Sequence, residues 1–130
     1  MVAKSATRSD RGPSWEQCWI WFCAALVMLL WIDLATTVAA ANLYGLEAEA
    51  NPLMRSLLAS GISITVAIHV ILFGLAIAGF AVVVAIGRKV ETNRRSWYRR
   101  FCFCWIMLLL LIGVLVVANN MALVLIALIG

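Results

Sequence analysis

Residues 101–130 read FCFCWIMLLLLIGVLVVANNMALVLIALIG, thirty consecutive positions without an Asp, Glu, Lys or Arg. A helix rises about 1.5 Å per residue and the hydrocarbon core of a bilayer is about 30 Å thick, so about 20 such residues suffice to cross it. Two further stretches, 19–41 and 61–87, pass the same test, and the three together carry one formal charge, Asp33. An isolated segment in hydrocarbon must satisfy its own backbone groups, and no strand-length alternation of the kind a barrel needs is present. The expectation is an all-α integral membrane protein with three transmembrane helices, at about 17–42, 61–87 and 101–128.

Composition agrees. The chain is 65% apolar and 12% charged, with a mean hydropathy of +1.05. Six acidic and ten basic residues cannot coat a water-soluble domain of 130 residues, so lipid is the expected solvent and the bilayer the first partner.

Orientation follows from the basic residues beside the spans. Lys4, Arg8 and Arg11 precede the first, and Arg88, Lys89, Arg94, Arg95, Arg99 and Arg100 lie between the second and third. Between the first and second there is only Arg55, near Glu47 and Glu49. The positive-inside rule places the N-terminus and the 88–100 segment in the cytoplasm and the C-terminus outside, as a multi-pass protein of the cell membrane. Trp15, Trp19 and Trp21 start the first span, and Trp97, Tyr98, Phe101, Phe103 and Trp105 start the third, forming an aromatic belt at that same interface; Tyr44 belongs to the opposite one. Residues 1–14 have no apolar periodicity and read as a mobile cytoplasmic tail ahead of a single transmembrane domain, 15–130. The first apolar run is too long for a signal-peptide core and contains an acid, so it is expected to stay as an anchor.

Cys18, Cys23, Cys102 and Cys104 all map near the cytoplasmic face, where thiols stay reduced, and their spacing matches no zinc pattern. They read as apolar filler, and no cofactor or metal is expected. In the outer loop Asn51 is a good N-cap and Pro52 suits a first helical turn, so a short helix is expected over about 52–60. It either lies on the membrane surface or simply leads into the second span. Ala67, Gly74, Ala78, Ala81 and Ala85 give that span a stripe of small residues suited to close helix packing, within the chain or against a second copy.

Asp33 needs an explanation, because an acid near mid-membrane costs about 2.5–3.5 kcal/mol on insertion scales and normally faces protein. Thr36 and Thr37 share its helix face. At the helical rise, Asp33 and His69 each lie about 12 Å below the outer end of their helices, and Asn119 and Asn120 lie about 15–16 Å from the C-terminus. The expectation is that Asp33, His69 and Asn119 or Asn120 converge in one polar layer, with Thr36 and Thr37 beside them and Glu49 and Asn51 above. Such a layer either binds a cation, or a proton held on His69, or only locks helix packing. His69 lies about 140° around its helix from Gly74, so both cannot face one three-helix interior, which points to a homo-oligomer or a larger membrane complex.

Asp33-x-x-Thr36-Thr37, then Gly45, then Glu49-Ala50-Asn51-Pro52-Leu53, resembles an uncharacterised prokaryotic family of small polytopic membrane proteins with a D-x-x-T-T and E-x-N-P pattern, a domain of unknown function. The resemblance runs over residues 32–72, and the third span shares mainly its late asparagine. It implies a prokaryotic cell membrane and singles out Asp33, Thr37, Glu49, Asn51 and Pro52, but implies no activity.

Enzyme motifs are lacking: there is no H-E-x-x-H, no G-x-S-x-G, no phosphate loop and no second intramembrane acid. Ser63 and His69 lie on different sides of their helix, which rules out a triad with Asp33. The basic 88–100 segment is accounted for by orientation and anionic headgroups, so no nucleic acid is expected. The reading is a binding, accessory or structural module with a buried polar site in the outer half of the membrane; the alternative is an oligomeric ion or proton transport component using Asp33 and His69.

Overall fold

The computed structural model describes residues 12–129 and places the apolar stretches in helix. Five α-helices follow one another: α1 Trp15–Leu26, α2 Asp33–Tyr44, α3 Pro52–Ala59, α4 Ile62–Lys89 and α5 Thr92–Ile129. A π-helical segment, Val27–Ile32, joins α1 to α2, and a 3-10 turn, Leu46–Ala48, follows α2. Three helices are long and apolar enough to cross a membrane: Trp15–Tyr44, Ile62–Lys89 and Arg94–Ile126. The tail expected over 1–14 lies outside the described residues as far as residue 11.

Local chemistry sets the boundaries. Ser14 caps α1 in a capping box, its hydroxyl accepting from the Gln17 N–H while the Gln17 side chain accepts from the Ser14 N–H. Gly45 and Gly61 turn the chain with φ of +86° and +111°, a region costly for residues with a Cβ. Asn51 caps α3, its side-chain oxygen accepting from the Leu53 N–H at 3.0 Å, and Pro52 fills the first turn.

The third long helix begins at Thr92 rather than at about residue 101. Its arginines are good helix formers, and the Glu91 carbonyl accepts from the Arg94 and Arg95 N–H groups. The Arg95 guanidinium reaches back to the Arg88 and Val90 carbonyls, closing the end of α4. The connection expected over 88–100 thus shrinks to Val90 and Glu91.

α1 and α2 run alongside α5 in the same direction. Trp15 meets Tyr98 at one end with ring centroids 6.0 Å apart, and the Tyr44 hydroxyl donates to the Leu123 carbonyl at the other, 2.9 Å. The inward stripe of α5 is Cys102, Ile106, Gly113 and Asn120, spaced by four or seven residues and so on one face. At Gly113 an added Cβ would come within 3.1 Å of Leu29 and 3.2 Å of Met28, so the missing side chain lets α5 close on the π segment.

α4 runs antiparallel and is held differently. Phe80 stacks on Phe22 at 4.1 Å and takes the Trp19 edge at 4.8 Å, while Phe73 lies 6.3 Å from Trp31. Phe22 and Phe80 join Cys18, Leu26, Val84 and Ile106 in one apolar core, with Trp19 and Phe73 packed against it. Its packed face carries Thr65, His69, Phe80, Val84 and Gly87. Ala67, Gly74, Ala78, Ala81 and Ala85 are exposed, so the stripe of small residues packs on nothing within the described chain.

Candidate binding site

The acid of the first long helix finds its partner on the third. The Asn120 amide nitrogen donates to Asp33 Oδ1 at 2.8 Å and lies 3.2 Å from Thr37 Oγ1 and 3.5 Å from Thr36 Oγ1. The Thr36 hydroxyl donates in turn to the Ile32 and Asp33 carbonyls, both at 3.0 Å. Asp33 stands where the π segment ends: its N–H bonds to the Met28 carbonyl, five residues back, before α-helical pairing resumes. π turns of this kind recur at functional positions, because they re-aim the side chains that follow.

Asn120 is directional. With its NH2 spent on the acid and the threonines, the planar amide must present its oxygen to the other side. Asn120 also lines a pocket of about 280 Å³, together with Asn119, Thr37, Tyr44, Glu49 and Leu123, with Ala40, Ala41 and Ala50 as small walls. Glu49 is held over it: one carboxylate oxygen accepts from the Asn51 N–H at 2.7 Å, and the Glu49 carbonyl accepts from the Arg55 guanidinium. The Glu47 carbonyl takes a longer bond from the same guanidinium, 3.5 Å. Arg55 therefore spends donors on backbone and leaves the Glu49 carboxylate to the pocket.

His69 is buried, at 4% exposure, one layer away. Its Nδ1 lies 2.8 Å from the Thr65 carbonyl, which can only accept, so Nδ1 carries the proton. Thr65 is fully buried and ties α4 to α3, donating to the Leu57 and Gly61 carbonyls. No hydrogen bond joins His69 to Asp33 among the described residues. The residues singled out from sequence thus divide. Asp33, Thr36, Thr37 and Asn120 form one bonded cluster; Thr37, Glu49, Asn119 and Asn120 line the pocket; Asn51 orients Glu49 from outside it; His69 faces the interior without touching the pocket.

A scan against protein families matches residues 24–127 to the family described as Domain of unknown function (DUF5658). The chain belongs to that family. No curated protein and no solved structure matches it. The DUF5658 match takes in the π segment, Asp33, the Glu49 turn, Asn119 and Asn120, and leaves out the tryptophans at the start of α1. Within this DUF5658 domain, Tyr44, Gly113 and the π segment are the parts of the site that residue reasoning missed. The alanines at 39–41 and at 50 were the available signal for a pocket, since small side chains across from an acid leave space.

Among the described residues no group of three or more His, Cys, Asp or Glu is placed to share a metal ion. The pocket's own chemistry is one carboxylate, two amides, the Thr37 hydroxyl and the Tyr44 phenol, with no Lys or Arg in the lining.

Proposed function

We propose that the chain is a multi-pass protein of a prokaryotic cell membrane that binds a small organic cation from the outer side, as a binding module and not as an enzyme. The observation that carries this is the Asp33–Asn120 bond at the foot of the Glu49 pocket. That bond spends the Asn120 nitrogen on Asp33, and Asn120 shares the lining with Glu49, whose carboxylate accepts from the neutral Asn51 N–H. A carboxylate, two amide side chains and the Tyr44 ring in one lining suit an ammonium group. The volume, about 280 Å³, limits the ligand to a few carbons around it.

Orientation supports access from outside. The basic residues at 88–100 belong on the cytoplasmic face, which sends Tyr44, Glu49 and the pocket to the opposite one. The lining pairs no serine, cysteine or threonine with a histidine or lysine, so nothing there activates a nucleophile. A transport role built on Asp33 and His69 would need a route past Phe22 and Phe80, stacked at 4.1 Å in the half toward Trp15; binding needs none. The exposed small-residue stripe of α4 is the face we assign to a second copy or a larger complex.

Calorimetric titration of the purified full chain in detergent with choline, putrescine and sodium chloride tests the reading. Saturable binding of an organic cation is expected, weakened about tenfold or more by Glu49→Gln, which removes a charge-assisted contact. Binding of no organic cation at millimolar concentration, or equal binding by the variant, overturns it.

A further inference from the structure

At the opposite end of the molecule a second cavity opens, away from the Glu49 pocket. It is a groove of about 300 Å³ between α4 and α5, closed at the back by Phe22 and Ile106. Phe80 and Val83 form one wall, and Tyr98, Phe101, Trp105 and Leu109 form the other. Phe101 and Trp105 are 48% and 53% exposed and pack edge to face at 6.2 Å, so the outer lip is a rigid aromatic ledge. The Tyr98 hydroxyl donates to the Val83 carbonyl at 3.4 Å and bridges the two walls at the groove's charged end.

Three features select an occupant. The lining is almost wholly apolar, and its α5 wall runs from Tyr98 to Leu109, about 16 Å at the helical rise. That is the hydrocarbon depth of one leaflet, about half of a 30 Å core. Next, Arg94 stands one turn before Tyr98 on the same face of α5, and exposed Arg88 and Lys89 end the facing helix. Arg95 adds its charge while bonded to the Arg88 and Val90 carbonyls, and Glu91 is the acid among them. Positive charge therefore prevails at the mouth. Last, α4 is held at this level through rings: Trp15 and Tyr98 sit against Gly87, where an added Cβ would collide with both, and Phe80 packs on Phe22 and Trp19, so side chains and not a second helix surface set the spacing beside the groove.

We propose that the groove is a site for one anionic phospholipid of the cytoplasmic leaflet. An acyl chain lies along Phe80, Val83 and Trp105, and the phosphate sits among Arg88, Lys89 and Arg94. Orientation alone would put basic residues near this face; it would not align them with the end of a leaflet-deep groove. The proposal shares with the functional reading only the placement of the chain in a membrane, and no residue of the Glu49 pocket enters it.

The test is native mass spectrometry of the delipidated full chain in detergent, titrated with phosphatidylglycerol and with phosphatidylcholine of the same acyl chains. One phosphatidylglycerol per chain is expected, retained about tenfold better than phosphatidylcholine. Lys89→Gln with Arg94→Gln should weaken phosphatidylglycerol about 30-fold and leave phosphatidylcholine unchanged, as two surface cations imply. Val83→Trp, which fills the groove, should abolish retention of both. Equal retention of the two lipids, an unaltered preference in the charge variant, or a dimer that excludes lipid overturns the proposal. If Val83→Trp does not fold, the charge variant, altered only at exposed positions, decides alone. Cation titration of the same samples reads the Glu49 pocket separately, so failure of one site is not mistaken for failure of the other.

Discussion

The Asp33 carboxylate has one side-chain partner, the Asn120 amide, at 2.8 Å, and Asn120 has no alternative acid within reach of its nitrogen among the described residues. Interhelical polar contacts in membrane proteins couple by about 0.6 kcal/mol on average and at most about 1.7 kcal/mol, because the separated helices find other partners. A double-mutant cycle of Asp33→Asn and Asn120→Leu, followed by unfolding in denaturing detergent, should give a coupling in that range. A coupling of zero would mean the two side chains do not meet. Asp33→Asn also tests direction. An amide at position 33 can donate as well as accept, so it no longer dictates which way Asn120 faces; organic-cation binding should fall while helicity and abundance hold. At this scale the sequence was informative: charge cost marked Asp33, and counting along each helix put it level with α5's asparagines. It was silent on which asparagine bonds, because Asn119 and Asn120 differ by 100° around the helix and only the packing of α5 chooses.

Helices make that choice through Gly113. Two turns before Asn120 and on the same face, it admits the π segment so closely that a Cβ would touch Met28 and Leu29. Gly113→Leu should destabilise the fold by about 1–3 kcal/mol, the usual cost of overfilling a packed contact. It should also weaken cation binding, since Asn120 is carried away with the helix; if stability falls and binding does not, the pocket does not depend on this approach. Asn51 acts at the other rim. Its side chain caps α3 and its N–H holds Glu49, so only the first function is lost in Asn51→Ala, which should cost about 1 kcal/mol of thermal stability and leave Glu49 in place. The short helix at 52–60 was readable because Asn-Pro is local chemistry. The π segment was not: Val27–Ile32 is an ordinary apolar run, and the extra residue in its turn answers to α5, which no local window contains.

Across the whole molecule the two ends are built by different physics. Toward Tyr44 the helices are joined by directional polar contacts, Asp33 to Asn120 and the Tyr44 hydroxyl to the Leu123 carbonyl; toward Trp15 they are joined by rings. Hydropathy displayed the three long helices at once, but the parallel pairing of the first with the third, and the looser seat of the second, depend on which side chains interlock. In lipid no hydrophobic push returns a displaced helix, so α4 depends on ring contacts, each worth about 0.5–1.5 kcal/mol, together with the bond from the Tyr98 hydroxyl to the Val83 carbonyl. Phe80 makes two of them, with Phe22 and Trp19. Phe80→Ala should therefore lower stability by about 1–3 kcal/mol. It should also speed hydrogen exchange in the Lys89 half of α4 more than in the half near Thr65, whose hydroxyl remains bonded to the Leu57 carbonyl. Cation binding should change little, because the Glu49 pocket draws its lining from α2, α5 and the turn between α2 and α3. Uniform loosening of α4, or loss of cation binding alongside it, would show instead that the second helix is part of the site and that the two ends are not independent.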